Sequence, residues 1–252
     1  MILSYLKKFV LSVLFVCLTA GSVFAVGVDD IRFMTEEYPP FNMKGDDGVA
    51  TGIAVDVLAE MFKRVGSSKT AKDVEVLPWA RGYKEVQSTP NTSLFCMTRS
   101  EEREPLFKWV GPIASTRVVA TALKSKGIAA GTASDLADLS AGVIKDDIGD
   151  QLAEKAGIKK IDRTANNGQN IKKLNSGRVD IWIYEENVAL WQLKDMGFDP
   201  ADYETVYVLE AGRLDYAFHK DTDQALIDQL QKVLDEMKAD GSYQAIVDKY
   251  LR

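Results

Sequence analysis

The chain has 252 residues, 46% of them hydrophobic, with 31 basic residues against 37 acidic ones and a formal net charge of −6. That length is long for a single core and suits two lobes of ordinary size. An acidic chain without a basic tract argues against nucleic acid or an anionic membrane as partner.

The N-terminus reads as a secretory leader. Lys7 and Lys8 supply a positive start, residues 9–20 are almost wholly apolar, and the Val23-Phe24-Ala25 segment puts the short side chains of Val23 and Ala25 at the cleavage positions, with cleavage expected after Ala25. The apolar run is shorter than the ~20 residues of a membrane span, which disfavours an uncleaved anchor. Val16 stands before Cys17 where a lipidation site needs a small residue, which disfavours a lipid anchor. The mature chain is therefore expected to be exported. Cys96 is then the one cysteine left, so no internal disulfide can form, and its place between Phe95 and Met97 predicts a buried, inert thiol. His219 is the single histidine, and no His/Cys cluster has metal-ligand spacing, which weakens hydrolase and metalloenzyme readings; no cofactor is implied.

In chain order, residues 31–35 read as a strand that runs into Tyr38, Pro39, Pro40 and Phe41, where two prolines force a loop. Residues 42–52 are polar and glycine-rich. Ile53, Val57, Leu58, Met61, Phe62 and Val65 recur at helical spacing, and Gly66 ends that helix. Residues 74–77 are a short strand, followed by Pro78, Trp79, Ala80 and Arg81 and then a helical turn or short helix over 83–87. Residues 93–97 form an unbroken apolar strand of the buried, parallel kind. Further strands are expected at 107–110 and 118–123. The alternation points to parallel βαβ units.

The pattern then restarts. A short helix is expected at 134–139, strands at 141–144 and 160–162, and a helix after Asp146 or Asp147, either of which could cap it. Residues 166–176 and 186–196 read as helices, and residues 179–184 and 205–209 as strands. Residues 212–218 are extended. Leu226, Ile227, Leu230, Val233, Leu234 and Met237 make one apolar helix face, and Tyr243, Ile246, Val247, Tyr250 and Leu251 another. No floppy linker separates the two halves, which suits a hinge that closes on a ligand.

Four segments carry a family resemblance: EEYPPFNM through GVATGIAVDVLAEMFKRVG (36–66), MTRSEEREPLFKWVGPI (97–113), LNSGRVDIWIYEE (174–186) and MKADGSYQAIVDKYLR (237–252). In order and spacing the chain resembles the periplasmic solute-binding proteins of ABC importers, in the family that binds polar amino acids. The resemblance implies two α/β lobes, each a mainly parallel sheet flanked by helices. It also implies two crossovers, near 114–121 and 210–215. The expected division is a leader at 1–25, a discontinuous first lobe at 26–117 and 215–252, and a second lobe at 118–214. It further implies a monomer that takes a small solute in the cleft and presents it to a membrane ABC permease.

The resemblance also assigns roles. Arg103 matches the arginine that binds a carboxylate, a task for which a planar guanidinium offers two parallel hydrogen bonds. Thr98 matches an assisting polar position. Glu185 matches the acid that takes the α-amino group, at a strand end where α/β sheets expose ligand groups. Tyr38 and Phe41, with Trp79 as a further candidate, are expected to wall the solute. Two features depart from the family. Where a Gly-Thr-Thr turn often donates to the carboxylate, this chain has Lys145, Asp146, Asp147 and Ile148, so Asp147 is expected either to cap its helix or to meet a cationic ligand end. Arg81 and Arg99 add positive charge that either pairs with local acids or receives a second anionic group. Two other functions remain open on the sequence: an enzyme on the same fold, such as a cyclohexadienyl dehydratase, for which Glu185 or Glu37 could serve as acid or base, and a sensory module for a membrane receptor.

Overall fold

The computed structural model describes residues 26–251, so the expected leader and Cys17 lie outside the described residues. Ten strands and seven α-helices are found among them. β1 (Arg32–Thr35), β2 (Met43–Lys44), β3 (Ala50–Thr51), α1 (Ile53–Arg64), β4 (Val74–Val76), α2 (Trp79–Ser88) and β5 (Thr92–Thr98) come first. β6 (Phe107–Leu123), β7 (Ser140–Ile144), α3 (Ile148–Lys155), β8 (Lys160–Thr164), α4 (Asn167–Asn175), β9 (Ile181–Glu185) and α5 (Glu186–Asp195) follow. β10 (Tyr203–His219), α6 (Gln224–Ala239) and α7 (Ser242–Leu251) complete the chain.

Eight strands join in one sheet with the order β4-β1-β5-β10-β6-β9-β7-β8. At one end β1 runs parallel to β4 and β5, and at the other β7 runs parallel to β8 and β9. The antiparallel pair β6 and β10, each 17 residues long, forms the middle. The two strand pairs expected at 107–110 with 118–123 and at 205–209 with 212–218 are therefore two continuous strands. Mutual pairing carries both strands through Gly111-Pro112 and Gly212. β10 meets β5 from Leu214 onward, and β6 meets β9 from Val118 onward. Between those points the two strands have only each other, and this stretch joins the lobes.

Helices cover the sheet as their apolar stripes dictate. α1 buries Ile53, Ala54, Val57, Leu58, Met61 and Phe62. α6 packs on α1 and β6, and α7 packs on α1 and α6, so the C-terminal helices return to the first lobe. The expected turn at 83–87 is a ten-residue helix beginning at Trp79, whereas the expected helix at 134–139 is a 3-10 turn, Ala133–Leu136.

Two irregularities mark the middle of the sheet. In β5, Met97 pairs with Asp215 and Phe95 with Tyr216, which leaves Cys96 as an extra bulged residue at φ 41°. The thiol is buried, and burial pushes its pKa well above the ordinary value. Opposite, a Cβ on Gly111 would lie 2.4 Å from the buried Asp215 carboxyl carbon, so only glycine lets β6 pass there. Asp215 is clasped by Arg213 at 2.8 Å and Arg99 at 3.5 Å.

Candidate ligand site in the interlobe cleft

The first lobe contributes three pieces. At the end of β1, the loop over Tyr38–Phe41 is locked by backbone bonds. Tyr38 N–H donates to the Asn42 carbonyl at 2.7 Å, and the Ile53 and Ala54 N–H groups donate to the Pro40 and Phe41 carbonyls at 3.1 and 2.8 Å. Those carbonyls thus serve as the N-terminal partners that the helix itself cannot supply. Asn42 Nδ2 fixes the Glu36 carbonyl at 2.7 Å. Glu36, 6% exposed, lines the cleft.

The second piece is α2, whose first turn sets Trp79 and Tyr83 in a stack with centroids 5.6 Å apart. The third is the turn after β5. Arg103 N–H donates to the Ser100 carbonyl at 3.2 Å, and Arg103 Nη1 donates to the Thr98 carbonyl at 3.3 Å. The guanidinium lies 5.3 Å from the Trp79 ring centre and 5.1 Å from that of Tyr83, within cation–π reach. Arg103 is 1% exposed, yet its Nε and Nη2 have no hydrogen-bond partner among the described residues. A buried ion with two free donors pointing the same planar fork is costly unless an anion completes it.

The second lobe presents two helix N-termini. Asp147 caps α3, with Oδ1 accepting from Ile148 N–H at 2.6 Å. Glu185 caps α5, with Oε2 accepting from Val188 N–H at 2.8 Å and Oε1 from Asn187 Nδ2 at 3.3 Å. Tyr184 packs edge-on against Tyr38 at 5.5 Å, and its buried hydroxyl has no hydrogen-bond partner among the described residues. The lobes also touch through Trp79 Nε1, which donates to the Asp146 carbonyl at 2.8 Å, and through an exposed Lys155–Glu102 ion pair at 2.6 Å.

Electrostatics set this site apart. Burial pushes Glu36 well above the ordinary carboxylate range; Asp147 adds to the rise and Arg103 opposes it. Asp147 is also raised by burial, against the pull of Arg103 and of the Ile148 N–H. Burial raises Glu185 as well, while the N–H groups of its helix start lower it. Beside these groups, a cavity of about 400 Å³ opens between the lobes, lined by Glu36, Glu37, Lys44 and Trp79 on one side and by Asn166 and Asn167 on the other. Among the described residues no group of His, Cys, Asp and Glu could hold a metal ion, and no helix is long and apolar enough to cross a membrane.

The structure thus brings Arg103, Trp79, Tyr38, Asp147 and Glu185 together around the cleft. Thr98 is buried and contributes its carbonyl to Arg103, and Phe41 packs behind Tyr38 at 5.9 Å. Arg81 and Arg99 lie elsewhere: Arg81 is exposed and pairs with Glu85 at 2.8 Å, and Arg99 grips Glu104 and Asp215. These are the local pairings that the sequence left as one alternative. Glu36, Tyr83 and Tyr184 are site neighbours that were not singled out. For Glu36 the signal existed, since it follows a parallel strand at its C-terminal end, where such sheets present ligand groups.

Comparison with known proteins bears on most of the chain. The L-cystine-binding protein TcyA of Bacillus subtilis (strain 168) is 24% identical over 221 residues, which cover 84% of this chain and 77% of that protein. An ABC uptake transporter substrate binding protein from Streptococcus pneumoniae with bound histidine superposes with a TM-score of 0.75 at 18% identity, covering 88% of this chain and 92% of that one. The ancestral amino acid-binding protein AncCDT-1, a precursor of cyclohexadienyl dehydratase, superposes at 0.70 with 24% identity, covering 88% and 95%. These likenesses carry the two-lobed fold. The model of one family matches residues 31–252, and the chain belongs to the bacterial extracellular solute-binding proteins, family 3.

Proposed function

We propose that this solute-binding protein is a periplasmic receptor that closes its lobes on a small amino acid or related carboxylate and presents it to an ABC permease. The observation that carries this reading is Arg103: a fully buried guanidinium, within cation–π reach of Trp79 and Tyr83, with Nε and Nη2 unpartnered. Such a fork matches a carboxylate with two parallel bonds. Glu185, facing Tyr38 across the cleft, takes the α-ammonium, and Tyr38 and Trp79 wall the solute. Residues 1–25 serve as the leader. The first lobe comprises 26–117 and 215–252, and the second 118–214; closure couples them because both touch one solute. Relatives that bind cystine and histidine support the solute class.

A thermal-shift screen of amino acids, dicarboxylates and polyamines tests the reading. It expects stabilisation by at least one amino acid, and stabilisation by none would refute it. An enzyme on this fold is a second reading, favoured by Glu36, a carboxyl that lines the cavity and that burial holds above its usual range against the pull of Arg103, as suits a general acid. Product analysis of each hit separates the two: a receptor returns its ligand unchanged.

A further inference from the structure

Helix α1 begins without a cap of its own. The residue before it is Gly52, at φ 119°, which has no side chain to take the free N–H groups of the first turn. Distant parts of the chain take them instead. Ile53 and Ala54 donate to the Pro40 and Phe41 carbonyls, so the start of α1 and the Tyr38–Phe41 loop form one bonded unit. The approach is tight: a Cβ on Gly52 would lie 2.5 Å from the Phe41 carbonyl oxygen. The Gly52 N–H itself donates to the hydroxyl of Tyr250, on α7 and 198 positions further along, at 3.2 Å.

That hydroxyl is fully used. A phenol has one proton to give and accepts two bonds. Tyr250 gives its proton to Asp56 Oδ2, in the first turn of α1, at 2.8 Å. It accepts from Gly52 N–H and from the Thr51 hydroxyl, also at 3.2 Å. Lys249 Nζ sits 2.7 Å from the same Asp56 oxygen and 3.4 Å from the phenol oxygen, which holds the carboxylate in place. Tyr250 thus fixes the first turn of α1 from the surface, while the Tyr216 hydroxyl fixes it from the core by donating to the Ala54 carbonyl at 2.8 Å.

From Gly52 the contacts lead to the cleft. Phe41 lies against Gly52 and packs on Tyr38, with ring centres 5.9 Å apart. Tyr38 and Asn42 exchange backbone bonds at 2.7 and 3.1 Å. The Tyr38 ring then meets Tyr184 of the second lobe at 5.5 Å. We propose that Tyr250 is a positioning residue for solute binding: its hydroxyl fixes the start of α1 and, through Gly52 and Phe41, holds Tyr38 in place as a wall of the cleft. The inference rests on the reading of Tyr38 as that wall. It adds a residue of the C-terminal helix that touches no solute. Without the hydroxyl the loop is less ordered before binding, and the cost of ordering it falls on the binding step.

Hydrogen exchange on the ligand-free protein tests the link without any solute. In Tyr250→Phe the amides of Tyr38, Asn42, Ile53 and Ala54 should exchange at least about tenfold faster, while those of β5 keep their protection. Tyr243, on the same helix, donates to the Ile113 carbonyl and anchors α7 to β6 instead. Tyr243→Phe should loosen α7 yet change those four amides by less than about twofold. Calorimetry with L-histidine and L-cystine gives the second reading. Whichever of them binds the parent should bind Tyr250→Phe about three- to tenfold more weakly, and Tyr243→Phe within about twofold of the parent. Circular dichroism shows whether each variant is folded. Unchanged exchange at the four amides overturns the inference, and so does unchanged affinity in Tyr250→Phe. An equal loss in Tyr243→Phe also overturns it, because α7 would then act by packing alone. If neither amino acid binds the parent, that result counts against the receptor reading, and the exchange pattern decides the place of Tyr250 by itself.

Discussion

Replacing Arg103 by alanine is the most direct probe of the cleft. Arg103 offers two buried, unpartnered N–H groups to an incoming carboxylate. Hydrogen bonds to charged groups contribute about 1.5–3 kcal/mol each, so losing both costs roughly 3–6 kcal/mol, or about two to four powers of ten in affinity. Arg103→Ala also removes the cation beside Glu36 and Asp147 and uncovers the Trp79–Tyr83 stack, so a lone loss of binding would have two explanations. Arg103→Lys separates them, because it keeps the charge but not the planar fork; it should lose about tenfold or more while unfolding near the parent temperature. Calorimetry with a ligand found by screening reads the affinity, and circular dichroism confirms the fold. An Arg103→Ala protein that is folded and binds within about threefold of the parent would refute the carboxylate role.

Glu36→Gln should stabilise the ligand-free protein at pH 7 by about 1–2 kcal/mol, seen as a rise of roughly 2–6 °C in Tm. The sign follows from the raised carboxyl: the folded state holds the Glu36 proton to higher pH than the unfolded chain, whose value is near 4.5, so the parent loses stability as pH rises above that point. The advantage of the variant should therefore grow with pH and shrink toward pH 4; a Tm gain independent of pH would contradict it. Gly111→Ala, which drives a methyl group against the Asp215 carboxylate, should cost about 2 kcal/mol or more in urea unfolding, with partial recovery in Gly111→Ala/Asp215→Ala; a neutral single variant would show that β6 shifts freely there. Glu102→Ala should weaken solute binding by less than about fivefold and remove part of its salt dependence, since an exposed pair that reaches across the cleft contributes at most about 1 kcal/mol. A salt profile identical to the parent's would argue that the pair plays no part in closure.

Much of the fold was legible because periodicity survives in the elements it governs. The apolar stripe of α1 and the unbroken strand at 93–97 are local signals, and both are found. The long central strands were not legible, since what carries β6 past Gly111-Pro112 is its pairing with β10, about a hundred residues away in sequence. Of the arginines at 81, 99 and 103, none is distinguished by type. The bulge at Cys96 and the turn after Thr98 send Arg103 inward, while Arg81 and Arg99 find acids on their own surface. Glu36 and Glu37 are chemically identical neighbours, and only the fold buries the first and exposes the second.

The hydrogen bond from Trp79 Nε1 to the Asp146 carbonyl spans the two lobes. The indoles of Trp109 and Trp182 bond within their own lobes, to the Glu104 carbonyl and to Asn167 Oδ1, and Trp191 is 40% exposed. Separation of the lobes would hand the Trp79 N–H to water and leave the bonds of Trp109 and Trp182 as they are. Trp79 would therefore serve as a built-in optical reporter: its emission should shift if the lobes separate, without any attached dye, and a Trp79→Phe protein should lose that signal.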